Sequence, residues 1–123
     1  MVFIDTNIIV RYLMKDDENL YKISKNIIET TDNLFVPNEI IAEVIYVLTK
    51  IYNINREKTS STVLDLINRN YFTLNSKEII INALEVFSSK NLDIVDCILC
   101  TTSKLTENTV ETFDKNLKKC LSE

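Results

Sequence analysis

The chain opens MVFIDTN (residues 1–7), and the run Phe3-Ile4-Asp5-Thr6-Asn7 decides how the rest is read. Val2, Phe3 and Ile4 favour extended backbone, so residues 1–5 read as a short buried strand. That strand delivers an acid, Asp5, where the chain turns into "TNIIVRYLMK", whose Ile8, Ile9, Tyr12 and Leu13 recur at helical spacing. Asp5 or Thr6 could cap that helix. Asp5 could also be one corner of a site whose other corners lie far along the chain.

Composition narrows the chemistry. With 123 residues, 46% hydrophobic and 26% charged, the chain reads as a single globular domain over 1–123. No apolar run approaches the ~18 residues of a membrane span. Asp5 stands where a signal peptide needs apolar residues, so the expected location is the cytoplasm. Histidine is absent, which excludes imidazole bases and His-containing zinc sites. Glycine is absent too, which excludes a P-loop and a dinucleotide-binding loop. The left-handed positions that glycine usually fills then fall to asparagine, with Asn33, Asn53, Asn70 and Asn91 at plausible helix ends. The net charge of −4 disfavours tight, sequence-independent binding to nucleic acid unless metal ions or a local basic cluster supply positive charge.

Three cysteines include a C-x-x-C at Cys97 and Cys100, in "DCILC". A zinc site needs a second pair, and only Cys120 remains. Apolar neighbours on both sides favour reading these residues as small buried hydrophobes.

Further along, "DDENLYKISKNIIET" reads as an acid-capped amphipathic helix carrying Leu20, Ile23, Ile27 and Ile28. "LFVP" reads as a strand stopped by Pro37, the single proline. "NEIIAEVIYVLTKIY" places its apolar stripe on Ile40, Val44, Val47, Leu48 and Ile51, and "REKTSSTVLDLINRN" follows with Val63, Leu64 and Ile67. "YFTL" fits a brief strand or an extended connection. Ser76 caps a helix in "SKEIIINALEVFSSKN", and "LDIVDCILCTTSKL" forms another. "TVETF" reads as a last strand and "DKNLKKCLSE" as a closing helix. Short apolar strands separated by helices predict an α/β fold with a small parallel sheet covered on both faces. Ligands of such sheets bind beyond the carboxyl ends of the strands, where Asp5 and Asp114 are both expected.

Four carboxylates stand out. Glu43 lies at the border of its helix's apolar stripe, where a surface or ion-pair role competes with a functional one. Asp96 projects from a helix apolar almost all round, and an unpaired buried carboxylate costs several kcal/mol. A capping box with Asp93 is its rival account, and a functional role is the reading favoured. Asp114 could cap the last helix, occupy a turn, or join the site. Four acids share a pocket only when a cation neutralises them; Mg²⁺ or Mn²⁺ prefers such oxygen donors and assists phosphoryl chemistry without histidine or glycine.

These segments resemble the PIN-domain ribonucleases. "FIDTNIIVRYL" is similar to that family's opening strand, Asp-Thr-Asn turn and first helix, and "IIAEVIYVL" to its glutamate-bearing helix. "LDIVDCILC" resembles its D-x-x-D helix, and "VETFDKNL" its closing strand with a Thr-x-Asp turn. The compact size is most similar to the toxin subunits of VapBC toxin–antitoxin pairs. The resemblance implies a three-layer α/β/α sandwich with a small central parallel sheet, and Mg²⁺- or Mn²⁺-dependent hydrolysis of RNA phosphodiester bonds. It further implies a cognate antitoxin partner and a homodimer. Carried over by position, it makes Asp5, Glu43, Asp96 and Asp114 the catalytic and metal-binding acids, with Asp5 and Asp96 foremost as direct ligands. Asn7 and Thr112 become the groups that hold those acids, Asp93 a helix cap, and Arg11, Lys15 and Lys115 contacts to substrate phosphate. The lack of glycine is unusual for a nuclease domain. A non-catalytic PIN-like binding module is the main alternative. A phosphotransfer pocket with Asp5 as nucleophile is disfavoured, because no second Asp follows two residues on.

Overall fold

In the computed structural model, which describes residues Met1–Glu123, three strands and seven α-helices follow one another along two compact units, Met1–Asn75 and Ser76–Glu123. The N-terminal unit holds β1 (Val2–Phe3), α1 (Thr6–Met14), α2 (Glu18–Thr30), β2 (Leu34–Val36), α3 (Asn38–Tyr46), a wide π-helical turn (Val47–Ile51), α4 (Arg56–Asn68) and β3 (Phe72–Leu74). The C-terminal unit is helical, with α5 (Lys77–Ser89), α6 (Ile94–Thr106) and α7 (Lys115–Ser122). The α/β class with a small parallel sheet is the one expected.

The sheet runs β1-β2-β3, all parallel, with Val2 opposite Leu34 and Leu34 opposite Phe72. β2 has a neighbour on each side, and its Leu34 and Val36 are buried. The segment "YFTL", open between strand and connection, supplies β3. β1 pairs only with β2, and its Val2 and Phe3 are exposed, so the buried opening strand is corrected to an exposed edge. Only Ile4, the residue before Asp5, turns into the core.

Around the sheet the helices bury stripes at i, i+3, i+4 and i+7. In α3 and the π turn the stripe is Ile41, Val44, Ile45 and Leu48, one position from that expected at Ile40. Ile51, which falls inside the π turn, is 65% exposed. α2 likewise buries Ile28 but leaves Leu20 and Ile23 in solvent. Left-handed backbone occurs at Asn33, Asn53 and Asn70, where asparagine tolerates it at least cost. Asn91 is not among these positions; Lys15 and Glu107 are, each closing a helix.

In the C-terminal unit, α5 buries Ile80, Ala83, Leu84 and Phe87, and α6 buries Ile94 and Cys97. Cys100 on α6 and Cys120 on α7 form a disulfide, their Cα atoms 6.2 Å apart. All three cysteines are buried as expected, but only Cys97 lies outside the disulfide, its thiol donating to the Leu92 carbonyl at 3.4 Å. The strand expected at "TVETF" does not form. Residues 108–114 carry no regular structure, and the Phe113 ring is fully in solvent. β-Branched residues favour extended backbone, but this stretch has neither a strand partner nor a buried face to hold it.

Candidate metal centre

Asp5 leaves β1 through Ile4 and occupies the N-cap of α1. Its Oδ1 accepts from the Thr6 amide at 2.8 Å, while Oδ2 has no hydrogen bond. Glu43 stands exposed on α3 with neither a hydrogen bond nor an ion pair. Asn7 is exposed on the first turn of α1. Both acids of the N-terminal unit thus keep oxygen atoms available.

The acids of the C-terminal unit crowd one another. Asp96 lies half-buried in the first turn of α6 without a hydrogen bond or ion pair. Burial, then the nearby negative charges of Asp114 and Asp93, raise its carboxyl above the usual carboxylate range. The rival capping box does not form: Asp93 occupies the N-cap position, but its side chain makes no capping bond. Asp114 caps α7, one of the roles expected of it, although no strand precedes it; its Oδ1 accepts from the Leu117 amide at 2.8 Å. Thr112 Oγ1 accepts from the Asp114 amide at 3.0 Å and so fixes the entry to that cap. Asp93, Asp96 and Asp114 sit near enough to interact, and no lysine or arginine forms an ion pair with them.

Neither these three carboxylates nor any other group of three or more carboxylate or thiolate side chains gathers closely enough to hold a metal ion as they stand. The available donors are all carboxylate oxygens, the type that Mg²⁺ and Mn²⁺ take, and the unrelieved charge at Asp96 is what a cation would offset. By donor chemistry the residues fit such an ion.

The basic residues fall into different settings. Arg11 donates to Asp16 at 2.9 Å, and the Tyr52 hydroxyl reaches the same carboxylate at 2.7 Å. Lys115 opens α7 in solvent, free of any ion pair. Lys15 ends α1, its Nζ 5.2 Å from the centre of the Tyr21 ring. It lines a cleft of about 490 Å³ bounded by α1, α2 and α4, which sequence reasoning missed. Within the cleft the Tyr12 hydroxyl donates to Glu29 at 2.7 Å, and Arg69 reaches Asp65 at 2.9 Å and the Tyr12 oxygen at 3.4 Å. Burial, then the Glu29 bond, pushes the Tyr12 hydroxyl up to about 12. Its residues come from helices distant in sequence, and Lys15 alone carried a signal.

The chain matches the model of the PIN domain over residues 2–120 and belongs to that family. Within the family it is similar to a VapC ribonuclease from Aquifex aeolicus (strain VF5), 27% identical over 97% of this chain and 91% of that protein. No solved structure matches the chain significantly.

Proposed function

We propose that this chain is a Mg²⁺- or Mn²⁺-dependent endoribonuclease, the toxin of a VapBC-type pair, acting in the cytoplasm. The observation that carries the proposal is Asp96: a half-buried carboxylate beside two others, with no basic side chain paired to it, in the helix where a PIN-domain acid is expected. Asp5, Glu43, Asp96 and Asp114 would hold the ion. When bound, Mg²⁺ or Mn²⁺ polarises a phosphoryl oxygen and activates water for in-line displacement. Asp5 and Asp114 would act from helix N-termini, where a backbone amide engages one oxygen of each and leaves the other unbonded. Thr112 holds the Asp114 backbone, and Asn7, two residues after Asp5 in the first turn of α1, is a candidate positioning group. Lys115 is placed to meet a substrate phosphate.

A homodimer and an antitoxin partner belong to the same proposal. Exposed apolar residues on α2 (Leu20, Ile23) and α6 (Val95, Leu99) offer surfaces that each partner could cover.

The test is cleavage of single-stranded RNA by the full chain. Activity should require Mg²⁺ or Mn²⁺, stop with chelator, and fall at least ~100-fold in Asp5→Asn and in Asp96→Asn. Full activity in both variants would overturn the assignment of the acids. The non-catalytic module draws on one observation, that no three acids are gathered closely enough for a metal. RNA or partner binding without any metal-dependent turnover would select it.

A further inference from the structure

We propose that the cleft between α1, α2 and α4 is a subsite for single-stranded RNA, holding phosphates several nucleotides away from the bond that is cut. This inference rests on the ribonuclease reading and adds a place where the substrate strand is gripped.

The cleft runs against the charge of the chain. The protein carries a net −4, yet the lining brings Lys15, Lys25, Lys58 and Arg69 against only two carboxylates, Glu29 and Asp65. Both carboxylates already have partners. Glu29 receives the Tyr12 hydroxyl, and Asp65 receives Arg69, which also contacts Tyr12. This chain of bonds ties α1 to α2 and α4 and absorbs the arginine. Lys15, Lys25 and Lys58 remain, one from each wall, and none makes an ion pair. Ammonium groups facing one concavity repel each other, and an anion relieves that repulsion.

Three separate ammoniums suit a chain of phosphates better than a single one. The rest of the lining agrees. Thr62 presents a hydroxyl of the kind that bonds sugar and phosphate oxygens, while the Ser61 hydroxyl donates to the Lys58 carbonyl at 3.0 Å and leaves only its oxygen to accept. Tyr21 lies nearly parallel to Tyr12, ring centres 6.1 Å apart, with Lys15 Nζ over its face, so the ring holds one ammonium at the cleft. An aliphatic protein ligand has little to hold here, because Leu66 is buried and Leu13 only partly open.

α1 sets the distance from the chemistry. Asp5 caps its N-terminus and Lys15 closes its C-terminus, and nine helical residues span ~14 Å. A strand whose reacting phosphate lies at Asp5 must therefore continue past its nearest neighbours before Lys15 can touch it. Substrates too short to cover that distance should miss the cleft.

The experiment compares the wild-type chain, Lys15→Ala/Lys25→Ala/Lys58→Ala, and the matching triple Lys→Arg variant. Each is assayed on a single-stranded RNA of about 12 nucleotides and on a dinucleotide. Binding of the longer strand is followed by fluorescence anisotropy in chelator across a salt series. The alanine variant should bind the longer strand about tenfold more weakly, with the slope of log K against log[salt] reduced by about 2, as expected for three lost phosphate contacts. Its loss of kcat/KM should be at least tenfold greater on the longer strand than on the dinucleotide, and the arginine variant should restore most of it. If the wild type cleaves RNA and the alanine variant matches it on the longer strand, the subsite is overturned and the ribonuclease reading stands. If the wild type neither binds nor cleaves any RNA, both fall. If the alanine variant keeps its RNA but no longer co-purifies with a co-expressed antitoxin, the cleft is a protein seat and the proposal fails.

Discussion

The two units solve the problem of holding an acid in place by different means. In Met1–Asn75 a three-stranded parallel sheet and four helices share a core, and Asp5 is set by Ile4 on one side and the Thr6 amide on the other. In Ser76–Glu123 there is no sheet: three helices share a smaller core, and a Cys100–Cys120 bridge ties the helix that carries Asp96 to the helix that Asp114 caps. Small cores depend more on such cross-links. The contrast suggests that apolar burial fixes one pair of acids, while a covalent tie helps keep the other pair close against its own repulsion.

Truncating the core tests the first half of that contrast and carries the largest effect. Leu48 is fully buried, and Leu48→Ala should cost about 3–4 kcal/mol in urea unfolding, enough to leave much of the chain unfolded if its total stability is ordinary. Breaking the bridge tests the second half. Cys100→Ser/Cys120→Ser should lose about 3 kcal/mol, as a 20-residue separation predicts from loop closure, and reductant should lower the melting temperature of the wild type but not of the variant. An unchanged melting curve in reductant would show the tie to be dispensable.

The smallest effect sharpens the comparison most. Because the folded state raises the Asp96 carboxyl, its contribution favours folding below the ordinary carboxylate pKa and is lost as pH rises through the raised value. Asp96→Asn removes that loss. In chelator at neutral pH the variant should melt about 2 °C above the wild type, with the gap closing in acid. Added Mg²⁺ should raise the wild type and leave the variant largely unmoved. A variant that melts lower at neutral pH would show that the carboxylate is satisfied and not strained by its neighbours.

Much of this contrast could be read from the residues, for identifiable reasons. Helices announce themselves over many residues, so the caps at Ser76 and Asp114 and the periodic apolar positions of α4, α5 and α6 were legible. Left-handed backbone at Asn33, Asn53 and Asn70 followed from the missing glycine. The strand at "TVETF" misled because a few β-branched residues state a local preference, whereas a strand needs a neighbour. The Cys100–Cys120 pairing was hidden because spacing along the chain says nothing about Cα separation, and an odd count points to no pair. The acids themselves were visible as types and positions. The unsatisfied state of Asp96, which separates it from the capping acids, required its surroundings in space.

The π-helical turn after α3 has a consequence for how this chain tolerates changes of length. Its hydrogen bonds reach back five residues, as from the Tyr52 amide to the Val47 carbonyl, so the segment contains one residue more than a regular helix needs to cover the same rise. Loss of a single codon within Val47–Ile51 could therefore relax the backbone into an ordinary helix, with Leu48 kept inside and the surplus taken from exposed Ile51. The same deletion earlier in α3 would rotate Ile41, Val44 and Ile45 out of the interior.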